Sequence, residues 1–274
     1  MRIYSLSKVL AIPVGLFGAY VLYTIFFSDT TLPLWLVLIP AIIGVALMLF
    51  NVHIDHWYLE RNPLPIDPKI KAWLDEHDHY YQQLNPDDKG KFEHRLQLYE
   101  HARSFEAVVH QGTNSVPYDL SCFISAQAIK LTMNKKDYLM GDMDRIYLYK
   151  HPFPSPRHKF LHTVETQIED GVIIFALDHL IPGLTHGKQF YNICMHGYAE
   201  AYTKVYPNTS WPEEGLSWSA VEAMSGFTKD QILQVLGYPS VDLLPIYITY
   251  YFTFPDKVKT HAPGVFQELD TIFS

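Results

Sequence analysis

The segment from Asn192 to Thr203 reads Asn-Ile-Cys-Met-His-Gly-Tyr-Ala-Glu-Ala-Tyr-Thr, and its reactive side chains recur at helical spacing. Asn192, His196, Glu200 and Thr203 fall at i, i+4, i+8 and i+11, one stripe of a helix. Phe190, Cys194, Tyr198, Ala201 and Val205 cover the other sides. A helix apolar on most faces is buried, so the stripe is expected to line an interior cleft. Two chemistries fit it. A His and a carboxylate one turn apart can bond to each other, the commoner use of such a pair. They can also offer a nitrogen and an oxygen to a metal ion, which needs a third ligand that this spacing does not supply. Asp178, His179 and His186 precede the helix and are candidates for recruitment to that role. His53 and His56 belong to the end of an apolar run, and His77 and His79 to the acidic stretch Asp75-Glu-His-Asp-His79, which reads as a solvated helix face.

The elements that must position this stripe are mostly helical. Asp67-Pro68 opens a helix through Trp73 toward Leu84, and Asn85-Pro86 caps and starts the next, with Phe92, Leu96 and Tyr99 on its inner side. Ser115 and Pro117 start a third, which turns Leu120, Phe123, Ile124, Ala128 and Leu131 inward. Arg145–Tyr149 alternates as a strand does, and Val172–Leu177 is continuous enough for a buried one. The stripe helix is expected from about Phe190 to Val205, stopped by Pro207. A loop from Trp211 to Trp218 follows, then helices over Thr228–Leu236, Val241–Phe254 and Pro263–Phe273. The expected class is α+β, helix-rich with a small sheet. Cys122 and Cys194 lie in apolar stretches without metal or redox spacing and read as reduced core residues. An acidic balance of 29 Asp and Glu against 21 Lys and Arg, with no basic tract, argues against a nucleic-acid partner.

Ahead of this domain stand two uncharged runs, Val9 to Ser28 and Thr30 to Val52. Each reaches the ~20 residues that cross a bilayer. They predict a two-helix transmembrane hairpin over about 9–28 and 31–52, within a segment 1–61, joined by a short turn holding Asp29 and opened again by Pro33. A cleaved signal peptide is the competing reading, but the first run is long for one, lacks a small-x-small site, and a second run follows directly. Arg2 and Lys8 precede the first run, and Arg61, Lys69 and Lys71 follow the second, with no Lys or Arg between. The positive-inside rule then predicts a multi-pass protein of the cell (inner) membrane with its domain in the cytoplasm. A proline-stiffened linker, Asn62-Pro-Leu-Pro-Ile-Asp-Pro68, and a first helix fill 62–77, and the domain proper is 78–274.

Several blocks of 78–274 match one family in order. They are Tyr80-Tyr-Gln-Gln-Leu-Asn-Pro86 with Phe92 and Arg95, Ile124-Ser-Ala-Gln-Ala128, Ile146-Tyr-Leu-Tyr149 with Pro152, Asp170-Gly171, Asn192–Tyr202 and Leu243–Phe254. In these blocks the chain resembles the zinc-dependent peptidases of the Mlc titration factor A type, which implies a zincin-like fold. An active helix of that kind reads H-E-x-x-H, two His ligands one turn apart with a Glu that activates the metal-bound water. Laid on that pattern, His196 keeps the first ligand, Gly197 replaces the general base, Glu200 replaces the second ligand, and Thr249 stands at the family's third ligand. His196 and Glu200 remain as candidate zinc ligands without a third. Asp242 falls where the family has an acidic residue, so Asn192, Thr203, Asp242 and Thr249 are expected to line the cleft.

The resemblance therefore implies a membrane-anchored homologue without hydrolytic activity that acts by binding a protein or peptide. A protein partner fits, since the family's namesake is named for sequestering a transcriptional repressor. The alternative is an active zinc metallopeptidase rebuilt on His196, Glu200 and a recruited Asp178, His179 or His186. A purely structural membrane module, with the stripe as a satisfied core network, is the third reading.

Overall fold

The computed structural model describes residues 5–28, 33–109 and 112–274; Arg2 and the expected turn 29–31 lie outside them. The chain divides into two compact units, the first ending at Pro65 and the second beginning at Ile66.

In the first unit, α1 runs Leu6–Phe27 with Ser5 as its cap. At 1.5 Å per residue its 22 residues are long enough for one crossing. Only 11% of its most apolar window is buried, so it is not the core helix of a soluble fold but a candidate membrane span. The second expected span differs from a straight helix. A 3₁₀ turn, Leu34–Val37, leads into α2, Leu38–Leu49, and the helix then breaks at Phe50 before α3, Asn51–Arg61, which bends away by 68°. Phe50 leaves helical geometry where the apolar run gives way to Asn51 and Asp55. The Asp55 carboxylate accepts the Ser7 backbone N–H at 2.7 Å and the hydroxyls of Ser5 and Ser7 at 2.6 and 3.0 Å. Thus α3 supplies the acceptor that the open first turn of α1 lacks, with a negative charge at its positive end.

The second unit is α+β, mostly helical around a small mixed sheet. Asp67 caps α4 (Pro68–His77), and Asp78 breaks the run to cap the short α5 (His79–Gln83). The single helix expected toward Leu84 is therefore two. Helix α6 (Pro86–Ala102) starts at Asn85 as expected. An unanticipated hairpin follows, β1 (Ser104–Val109) and β2 (Gly112–Ser115), then α7 (Tyr118–Thr132), β3 (Arg145–Tyr149), β4 (Val164–Gln167) and β5 (Val172–Ala176). The order is β2-β1-β3-β5-β4, with β1, β3 and β5 parallel and the two edge strands antiparallel. Helices α8 (Leu177–Thr185), α9 (Ile193–Val205), α10 (Trp218–Ser225), α11 (Lys229–Leu236), α12 (Leu243–Thr253), α13 (Pro255–His261) and α14 (Pro263–Phe273) complete it.

Helix α9 lies at the centre, packed on α7, α8, α12 and the β4–β5 edge of the sheet. A buried polar chain fixes its start. Lys130 of α7 pairs with Asp78 at 2.5 Å and donates to Gln127 at 3.2 Å, and Gln127 accepts from Asn192 at 3.4 Å. Asp78 and Asn192 cap α5 and α9, accepting from the backbone N–H groups of Tyr81 and Met195. One lysine thus connects two helix starts through groups almost wholly removed from water.

Removing one partner of a buried pair strands the other charge. Lys130→Met is expected to cost about 3–5 kcal/mol. Lys204→Met, which breaks the half-exposed Glu200 pair, should cost less than about 1 kcal/mol. Guanidinium titration of the full chain in micelles measures both; equal losses would refute the ranking.

Candidate functional site

The side chains of Cys194, Tyr198, Ala201 and Tyr202 are fully buried and commit three sides of α9 to the core. On the remaining side lies a cavity of about 520 Å³. His196, Glu200 and Lys204 line it from α9, Glu165 and Thr166 from β4, and Asp242 and Pro245 from the start of α12. Tyr238 and Ser240 close one side, Arg157 and His158 another. The wall is anchored at Gly237, where α11 ends with φ +79° and a Cβ would stand 2.3 Å from the Leu161 carbonyl. That close approach lets Leu236 accept the Thr163 N–H at 3.1 Å and sets Tyr238 to donate to the Val164 carbonyl at 2.8 Å.

Among the expected cleft residues, His196, Glu200 and Asp242 line the cavity and the others serve the backbone. Asn192 is the N-cap of α9 and turns to Gln127. The Thr203 hydroxyl donates to the Glu200 carbonyl at 2.9 Å, and the buried Thr249 hydroxyl to the Pro245 carbonyl at 2.7 Å. The candidates for recruitment lie elsewhere. Asp178 pairs with His151 at 2.5 Å on the surface, His186 Nδ1 meets the Thr185 hydroxyl at 2.8 Å, and His179 Nδ1 is buried on α8 without a hydrogen bond. None of the three lines the cavity.

His196 and Glu200 are not bonded to each other. His196 Nδ1 lies 2.8 Å from the Tyr191 hydroxyl, while Glu200 pairs with Lys204 at 2.6 Å. Burial holds the imidazole pKa down at about 4, against the opposing pull of Glu200 and Asp242. The ring is therefore neutral near pH 7.

Gly197 faces the sheet. A Cβ there would stand 2.7 Å from Phe175 Cε1 and 2.7 Å from Val164 Cγ2. The position aligned with a peptidase's general base is filled by β4 and β5, so a longer side chain has nowhere to go without displacing the core.

Sequence patterns gave no warning of one further pair. His162, fully buried, sets Nδ1 3.0 Å from the Phe160 carbonyl and Nε2 2.9 Å from Glu165. Both partners are acceptors, so the ring is held between a carbonyl and a carboxylate oxygen. Burial alone would raise the Glu165 pKa, but hydrogen bonds from Ser155, Gln167 and His162 outweigh it and hold the carboxyl below its ordinary range. Glu165 is thus a fixed, hydrogen-bonded carboxylate in the cavity wall.

A zinc site of the peptidase kind does not fit these residues. Glu200 is engaged by Lys204, the Thr249 hydroxyl by a carbonyl, and among the described residues no group of three His, Cys, Asp or Glu is placed to hold a metal ion.

Gly197→Ala sets a helix-propensity gain of up to ~1 kcal/mol against overpacking that typically costs ~1–3 kcal/mol. Net destabilisation is expected by thermal melting, with Gly197→Glu worse. The His196 shift also has a signed consequence. Its folded pKa is depressed, so the unfolded chain binds the extra proton as pH falls through 6.5 toward 4, and stability drops over that window by up to about 3 kcal/mol. In His196→Gln this part of the acid loss should vanish; an unchanged pH profile would count against it. Comparison with protein-family models gives no match and comparison with curated proteins gives none, so the cavity's own geometry carries the functional reading.

Proposed function

We propose that the chain is a membrane-anchored, catalytically silent relative of the zinc-dependent peptidases of the Mlc titration factor A type, and that it acts by holding a protein or peptide segment in the His196 cavity. The observation that carries this is Gly197. A hydrolase of that family needs a base beside its first ligand, and here the place beside His196 has neither a side chain nor room for one. The missing third ligand supports the same reading, because without it the water-activating metal has no adequate cage. The packing of α9 against a small mixed sheet supports a zincin-like domain.

For the anchor, the proposal is a hairpin with both ends in the cytoplasm at a bacterial-type inner membrane. The exposed apolar surface of α1 and α2 supports it, as does the bond from Asp55 to Ser7, which returns the chain to the side where α1 began. Lys8, Arg61, Lys69 and Lys71 flank the apolar segments, the distribution expected of cytoplasmic ends.

Elemental analysis of the purified full-length chain beside His196→Ala tests the reading. It expects no stoichiometric zinc and no peptide hydrolysis. About one zinc per chain, lost in the variant, together with cleavage of casein-derived peptides, would replace it with a rebuilt metallopeptidase.

A further inference from the structure

We propose that α3 is an interfacial helix, one face of which docks in the phospholipid headgroup layer; this rests on the membrane-anchor reading above. Helix α3 packs on α1, and Asp55 and Leu59 form its buried side. Two further stripes run along it. Ile54, Trp57, Tyr58 and Arg61 fall at i, i+3, i+4 and i+7, apolar and aromatic up to the final cation. His53, His56 and Glu60 fall at i, i+3 and i+7 and are polar. A helix sided in this way, with Trp on the apolar flank, suits the boundary between acyl chains and water. Trp57 is 52% exposed, and Arg61 Cζ stands 4.5 Å from the centre of its ring. A guanidinium stacked on an aromatic face keeps its N–H edge for phosphate oxygens.

The place of α3 in the first unit fits that layer. The 3₁₀ turn and α2 hold 4 and 12 residues, which rise roughly 26 Å at about 2.0 and 1.5 Å per residue. That is most of the ~30 Å of hydrocarbon, so the crossing is nearly complete where the helix breaks at Phe50. Carried on straight, the 11 residues of α3 would overshoot by about 16 Å. Instead the chain turns by 68°, closer to the membrane plane than to its normal when α2 stands upright. The bond from Ser7 N–H to Asp55 sets α3 level with the first turn of α1, where that span begins. His53, Asp55, His56 and Glu60 would be costly in hydrocarbon, whereas Trp and Tyr concentrate at headgroup level. Exposed apolar surface leads up to the helix, since Leu49, Phe50 and Val52 are each more than half exposed.

The test uses the full chain, labelled with fluorotryptophan, in phosphatidylcholine nanodiscs and read by fluorine NMR. The resonances missing from Trp57→Phe and Trp35→Phe identify those two residues. One nitroxide lipid carries its spin label on the headgroup, another near the end of an acyl chain, and a gadolinium chelate labels the water. The headgroup nitroxide should broaden the Trp57 signal to the point of loss, with the other two probes each weaker. Trp35, 60% exposed at the start of the second apolar segment, reports on the anchor in the same spectra. Strongest broadening of Trp57 by the chelate overturns the interfacial helix, and so does silence to all three probes, the sign of a second copy covering the face. Strongest broadening by the chain-end nitroxide makes α3 a continuation of the span and overturns it too. In each of these cases a Trp35 response to lipid leaves the anchor standing. If neither Trp35 nor Trp57 responds to either lipid label, both readings fall.

Discussion

The second unit depends on a charge held where water cannot reach it. Lys130 and Asp78 form an ion pair deep in the helical layer, and the pair is tolerable only because each member has further partners, Gln127 for the lysine and the α5 backbone for the aspartate. The same chain of bonds ends on Asn192, which sets where α9 starts. A helix that begins one residue earlier or later turns by about 100°, and every side chain of its polar stripe would then face a different neighbour. The rotational setting of His196, Gly197 and Glu200 follows from a network rooted in α7, outside the cavity lining.

With that setting fixed, α9 divides its duties by face. Gly197 lies against Val164 and Phe175 and is small because the sheet is close; His196 and Glu200 face the cavity. The cavity wall is assembled from four separate stretches of chain, and its charges are mostly cancelled in place. Preorganised, internally matched polar groups define a shape and leave few atoms for a ligand to satisfy.

Much of the helical frame was legible in the sequence. Asp67, Asn85 and Thr228 announced their helices because capping is a local matter between a side chain and the N–H two or three residues on. The strands at Arg145–Tyr149 and Val172–Ala176 were legible from alternation and from a continuous apolar run. Strand β4 was not. Its sequence, Val-Glu-Thr-Gln, is short and polar because it borders the cavity, so the periodic signal that reveals buried strands is missing. His162 and Glu165 were overlooked with it. Asp78 was likewise read as part of a solvated acidic stretch, since nothing local reveals that Lys130, 52 positions on, will bury it. For the site, helical spacing brought His196 and Glu200 to one face correctly, but spacing cannot say which neighbour each bonds. Tyr191 and Lys204 took those roles.

The carboxylate of Asp55 bears on how the first unit comes into being. Among its hydrogen-bond donors are Ser5 and Ser7, at the opposite end of that unit's sequence. Until these ends meet, the Ser7 N–H in the first turn of α1 lacks this acceptor and the Asp55 carboxylate lacks these donors. Neither helix can settle into its final place alone. The first turn of α1 and the Asp55 end of α3 therefore complete their hydrogen bonding together.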